Sequence, residues 1–354
     1  MNEASFTGRT QEQFSAKSPH GATPESYRTV TDAIRKNKII FVPGKNPKPQ
    51  PEDHRAQLWR CLQRGLNLVD PAAAHGIAAM SDCFELVAWN AIYYGHVKDV
   101  EEDVPWIEVL CHKTGPDAAD VREALSWRNK RARVLYTLGD HFPALIPLLP
   151  DPAVKSTIRE TERYFRNQDG IGTHVRELLK APLRQAFAGG DRVLVIGHSM
   201  GTVIAYDALW ELTHLEGHPG KVDLFLTLGS PLGMHFVQDR LLGFQRNDRQ
   251  RFPCNIRHWI NIAAHGDLTA LDPEVRNDFL QMIEQGCIES IEDRHRGVFN
   301  YFRSEKGLNE HRSYGYLVEQ HVARAILAWW QGGSDQDGCR PETTAALAGS
   351  AGMT

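Results

Sequence analysis

The stretch Val193-Leu194-Val195-Ile196-Gly197-His198-Ser199-Met200-Gly201-Thr202-Val203-Ile204-Ala205-Tyr206-Asp207-Ala208-Leu209 sets four branched apolar residues before a serine flanked by glycines, and follows it with an apolar-rich run of helical length. The first four residues read as a buried strand, and Thr202 to Leu212 as a helix. A serine on a sharp turn between two such elements has its hydroxyl held out at the top of a sheet. Glycines two residues to either side let the backbone turn without side-chain collisions. With Gly near 7% of residues, G-x-S-x-G alone should arise by chance in roughly one chain in ten of this length. The strand before it and the helix after it make it a nucleophile elbow.

Working outward, the same alternation recurs. Lys38 to Val42 reads as a short buried strand stopped by Pro43-Gly44-Lys45-Asn46-Pro47, and Ala56 to Leu66 as a helix with leucines at 58, 62 and 66. Phe84 to Tyr94, rich in aromatic and branched residues, reads as a second strand. Val175, Leu178, Leu179, Leu183, Ala186 and Phe187 recur at helical spacing, with Pro182 expected to kink or split that helix. Val222 to Leu228 and Ile256 to Ala263 are further strands, and Val322, Ile326, Trp329 and Trp330 mark one face of a C-terminal helix. Strands alternating with helices imply an α/β fold, a mostly parallel sheet with helices on both faces.

The chain has 354 residues, 42% of them hydrophobic, enough for a sizeable core. Forty basic side chains face 44 acidic ones, for a formal net charge of −4 with no long block of either sign, so no nucleic-acid partner is expected. Met1 to Ser26 lacks the basic start and apolar run of a secretory signal, and no apolar stretch reaches about 18 residues, so no transmembrane segment and a cytoplasmic location are expected. The cysteines at 61, 83, 111, 254, 287 and 339 lack C-x-x-C spacing, which reads as reduced thiols rather than a disulfide framework or a zinc site. Residues 1–28 and 332–354 read as mobile tails around a domain at 29–331. Within that domain the strand-helix pattern lapses over 95–166, which contains the proline-broken apolar run Phe142 to Pro150. This segment reads as an inserted helical cap whose apolar underside would favour medium or long acyl chains.

A serine hydroxyl needs a base within hydrogen-bond reach, and the base needs a partner that fixes its tautomer. Asp267 follows the strand Trp259 to Ala263 after a short turn and is the candidate acid. Asp272, in Leu271-Asp272-Pro273, reads instead as a helix start, and Asp223 sits at the wrong end of its strand. Among 16 histidines, His311 lies in a polar loop before the last helix and is the candidate base. His321 falls inside that helix, His295 has no special context, and His198 should pack under the turn. Two backbone amides should converge on the oxyanion: that of Met200 at the helix start, and that of Lys45 after the first strand. His214 and His218 are separated by Glu216-Gly217, which should end their helix, and no third ligand is evident, so no metal and no cofactor are expected. Trp89, Tyr93 and Tyr94 read as core and pocket wall.

With these residues in place, the chain resembles serine hydrolases of the α/β-hydrolase superfamily, particularly lipase and esterase branches, over roughly Lys38 to Trp330. The resemblance is carried by residues 193–209, by Leu224-Phe225-Leu226-Thr227-Leu228-Gly229-Ser230-Pro231-Leu232-Gly233-Met234, by 259–272 and by 309–317. It implies a triad of Ser199, His311 and Asp267, with Ser230 shaping a turn rather than attacking, and hydrolysis of a small-molecule or lipid ester through an acyl-enzyme. Where such enzymes usually carry His-Gly in the oxyanion loop, this chain has Pro43-Gly44. The alternatives are an acyltransferase or thioesterase on the same fold, or a catalytically silent binding protein.

Overall fold

Six parallel strands form the centre of the molecule: β1 (Asn37–Val42), β2 (Phe84–Leu86), β3 (Arg192–His198), β4 (Val222–Leu228), β5 (Ile256–Ile262) and β6 (Ser290–Arg294), in the spatial order β2-β1-β3-β4-β5-β6. The computed structural model describes residues 36–126 and 161–332, which lie within one compact unit, Ile34–Thr354. The protein is therefore of the α/β class.

The strands are apolar on both sides because both sheet faces are covered. Ile40, Val42, Val193 and Val195 enter one hydrophobic cluster with residues of the helices Ile171–Ala188 and Met200–His214. Their neighbours Ile39, Phe41, Leu194 and Ile196 enter the other, against the helices Pro51–Val69, Ser313–Val318 and Gln320–Trp330. Alternate side chains of a strand point to opposite faces, so near-continuous apolar runs are what a doubly covered parallel sheet requires. The strand order reverses between β1 and β3. Their carboxyl ends therefore splay their connections to opposite sides and leave a crevice there, the place where open α/β sheets bind ligands.

Several sequence expectations change. Phe84 to Tyr94 is not one strand: β2 ends at Leu86, and Trp89–Tyr94 is a short helix ended by Gly95 at φ 72°. Aromatic β-propensity is overridden there by tertiary anchors, for Trp89 Nε1–H donates to the Pro43 carbonyl (2.8 Å) and Asn90 Nδ2 to the carbonyls of Gly44 (2.8 Å) and Asn46 (2.9 Å). Pro182 lies inside an unbroken helix, Ile171–Ala188. Cys254 and Cys287 are joined by a disulfide, against the expectation of reduced thiols throughout. They precede the adjacent strands β5 and β6, so sheet pairing brings together two cysteines that sequence spacing separates.

Of the segment 95–166, the described part includes the helices Val104–His112 and Ala118–Ala124. Ile107 and Leu110 are buried in the core cluster beneath the helix Pro51–Val69. Asp120 is held by Lys113 (2.6 Å) and Arg303 (2.7 Å). The run Phe142 to Pro150 and the expected tails, Gly332 apart, lie outside the described residues. Among the described residues, no helix is long and apolar enough to cross a membrane.

Candidate active site

Ser199 stands between β3 and the helix Met200–His214 with φ 53° and ψ −127°. A positive φ is costly for a residue with a Cβ, so the surrounding structure must impose it. The Ser199 N–H donates to the Leu228 carbonyl (3.0 Å), and its own carbonyl accepts from the Thr202 N–H (2.9 Å) and hydroxyl (2.7 Å). Gly201 lets the elbow sit directly on the end of β1, since a Cβ there would fall 2.1 Å from the Val42 carbonyl oxygen. Ser230 of the Gly-Ser-Pro turn lies 2.8 Å from the Thr202 hydroxyl and accepts from the Leu232 N–H, so it braces the same corner.

The carboxyl end of β5 leads through Ala263 to Gly266 into Asp267, and a two-stranded hairpin (Arg303–Ser304 with Gly307–Leu308) precedes His311. The three residues, far apart in sequence, meet in one line. His311 Nδ1–H donates to Asp267 Oδ2 at 2.8 Å, and the Ser199 hydroxyl reaches His311 Nε2 at 2.8 Å. A carboxylate can only accept, so the imidazole proton belongs on Nδ1, and Nε2 offers its lone pair to the serine. Ser199 is 4% exposed and Asp267 1%, while the His311 side chain keeps 29% of its surface open.

Burial pushes the Asp267 carboxyl up, but the charge and hydrogen bond of His311, a hydrogen bond from Tyr316 and the Thr269 N–H outweigh it. The carboxyl therefore lies below the usual aspartate range. Tyr316 OH donates to Asp267 Oδ2 at 2.6 Å and accepts from the Ala264 N–H at 3.0 Å, and Thr269 N–H donates to Oδ1 at 2.8 Å. Tyr316 lies in the stretch that carried the family resemblance, yet nothing in its spacing marked it as a partner of the acid. The signal was weak: five residues past the base, on the helix Ser313–Val318, it faces back toward the β5 turn. Gly229 also belongs to the site. At φ 53°, a Cβ on it would fall 2.5 Å from Asp267 Oδ2 and 3.0 Å from His311 Nδ1.

His198 packs beneath the elbow, its ring 4.8 Å from that of His311, and Nε2–H donates to the His311 carbonyl at 2.8 Å. Burial, then the neighbouring His311, push the His198 imidazolium well below its ordinary pKa. It is thus a neutral brace for the loop that carries the base.

Met200 begins its helix, and its amide is among those with no acceptor inside the helix. Lys45 lies on the loop after β1, and Lys45 and Met200 line one small cavity. The rival residues are engaged elsewhere. Asp272 accepts from the Glu274 N–H (2.9 Å), His295 lies 3.8 Å from Glu274, His321 Nδ1 is 2.9 Å from Glu319, and Asp223 accepts from the Val193 N–H at the far end of the sheet (2.8 Å). Among the described residues, no group of three or more His, Cys, Asp or Glu side chains is arranged to hold a metal ion.

Against models of known protein families, curated proteins and solved structures, the chain has no significant match in any of the three.

Proposed function

We propose that the protein is a serine hydrolase of the α/β-hydrolase type that cleaves carboxylic esters. The observation that carries this reading is the continuous relay from Asp267 through His311 to Ser199, with both hydrogen bonds at 2.8 Å. An acid, a base of fixed tautomer and a hydroxyl strained onto an elbow form the arrangement that activates a serine for attack on an acyl carbon.

In the reaction, Ser199 Oγ bonds to the ester carbonyl carbon while His311 Nε2 takes the hydroxyl proton. The buried Asp267 carboxylate stabilises the imidazolium that results. The Met200 and Lys45 amides hold the developing oxyanion, the first at the positive end of a 15-residue helix. His311 then returns the proton to the departing alkoxide, and water repeats the sequence to free the acid and regenerate Ser199. A fluorophosphonate probe tests the assignment: it should label the folded protein once, at Ser199, and labelling should vanish in Ser199→Ala. Absence of labelling in folded wild-type protein overturns the reading in favour of a silent binding protein.

A further inference from the structure

Beside the proposed oxyanion donors lies a cleft walled by Trp89, Tyr93, Tyr94 and Tyr164 and lined also by Lys45 and Met200. Its volume is about 10 Å³. That is roughly the space of one water-sized sphere, and a methyl group is of similar size. For an ester whose carbonyl oxygen sits on the Met200 and Lys45 amides, this cleft with its aromatic rings lies directly beside those donors. We infer that this cleft is the acyl subsite and that the substrates are acetyl esters rather than the medium or long acyl chains expected from the segment 95–166, an inference that rests on the serine-hydrolase reading above.

The walls are fixed in place. Trp89 Nε1–H donates to the Pro43 carbonyl (2.8 Å), and the Asn46 N–H donates to the Tyr94 hydroxyl (2.9 Å), so the aromatic helix is tied to the loop that carries Lys45. Tyr93 packs edge-on against Trp89 (5.2 Å) and Tyr94 (5.1 Å), while the Arg163 guanidinium covers its ring at 4.6 Å and donates to its carbonyl. Tyr164 OH donates to the buried Asp207 (2.9 Å). Among the described residues lining the cleft, a longer acyl chain would press on rings held by these contacts, whereas an acetyl methyl would not. One methylene too many in a fitted apolar pocket costs roughly 10- to 200-fold in kcat/KM. In the step itself, Ser199 Oγ bonds to the acetyl carbonyl carbon, the bond from that carbon to the alcohol oxygen breaks, and the alcohol leaves with the serine proton. Water then releases acetate.

The full-length protein would be assayed with the 4-nitrophenyl esters of acetate, butyrate and octanoate, each corrected for uncatalysed hydrolysis, alongside labelling by a small fluorophosphonate. The expected result is a kcat/KM for acetate at least about tenfold above that for octanoate. In Tyr93→Ala the octanoate-to-acetate ratio should rise by about tenfold or more. This ratio is independent of how much of the variant folds. Stoichiometric labelling of Ser199 with octanoate cleaved as fast as acetate overturns the acetyl assignment and leaves the hydrolase reading standing. No labelling and no turnover of any ester overturns both.

Discussion

Two aspartates in this molecule are equally buried, each 1% exposed, and similarly hydrogen-bonded, yet their charges are driven in opposite directions. Asp267 accepts from Tyr316 and a backbone N–H, and Asp207, in the helix Met200–His214, accepts from Tyr164 and the Leu242 N–H. Burial dominates at Asp207 and pushes its carboxyl up to about 7; the Leu242 N–H, Arg176 and Tyr164 oppose it only in part, and Glu211 reinforces it. The nearest guanidinium, Arg176, is engaged at 2.8 Å by Glu211, which also binds Lys180. At Asp267 the same cost of burial is outweighed because His311 lies 2.8 Å away and gives its proton to nothing else. A tyrosine and an amide do not keep a buried carboxylate charged; adding the imidazole N–H of His311 does.

Breaking the catalytic side of this comparison should have the largest consequences. Ser199→Ala and His311→Ala should each lower kcat by factors on the order of 10⁴ to 10⁶ with the fold intact, and Asp267→Asn by somewhat less, because the three act as a unit. A double Ser199→Ala/His311→Ala variant should be little worse than either alone. Circular dichroism with ester turnover checks this, and near-normal turnover by His311→Ala while His295→Ala or His321→Ala is inactive reassigns the base.

Gly229→Ala sharpens the contrast without touching a reacting atom. Its methyl would fall against the contact between Asp267 and His311 at a positive φ, so one or both must shift. A displacement of about 1 Å in such a relay costs around 10²-fold in rate. A larger effect on kcat than on KM is expected, and unchanged kinetics would mean the corner can relax around the methyl. Tyr316→Phe removes one donor to the Asp267 carboxylate and leaves His311 and the Thr269 amide in place. With about 1.5 kcal/mol riding on one hydrogen bond to a charged group, roughly a tenfold loss of kcat/KM is expected. The loss should grow toward acid pH, where an Asp267 less well held below its usual range is protonated first. A loss that is flat with pH would reduce Tyr316 to a packing residue.

The two aspartates were not equally legible in the sequence. Asp267 could be found because catalysis on a parallel sheet puts its groups on loops after particular strands, and it follows the strand Trp259 to Ala263 after a short turn; the structure brings Ser199, Asp267 and His311 together. Nothing in the sequence marks Asp207, since its tyrosine partner, Tyr164, lies 43 residues earlier in the chain. The same limit explains the misread stretch Phe84 to Tyr94, whose helix depends on carbonyls of residues 43, 44 and 46. It also explains the missed strand β6, whose Ser-Ile-Glu-Asp-Arg shows no apolar pattern because it lies at the edge of the sheet. Local patterning reports an element's own periodicity. It is silent where a distant partner decides.

Asp207→Asn gives the smallest effect, and one seen in stability rather than turnover. Between the ordinary aspartate value and about 7, the folded protein holds a proton on Asp207 that the unfolded chain has released. Stability from this group is therefore fully present below the unfolded value and is lost as pH rises through about 7. Asparagine mimics the protonated acid, keeping an acceptor for the Leu242 N–H and an N–H facing Tyr164, and it does not titrate. The substitution should therefore cost less at pH 8 than at pH 5, by about 2–3 kcal/mol for two pKa units. Urea unfolding of wild type and variant at both pH values measures the difference directly, because titrations shared by the two proteins cancel. An equal gap at pH 5 and pH 8 would mean that Asp207 is charged in the folded state after all, and that Arg176 serves it as His311 serves Asp267.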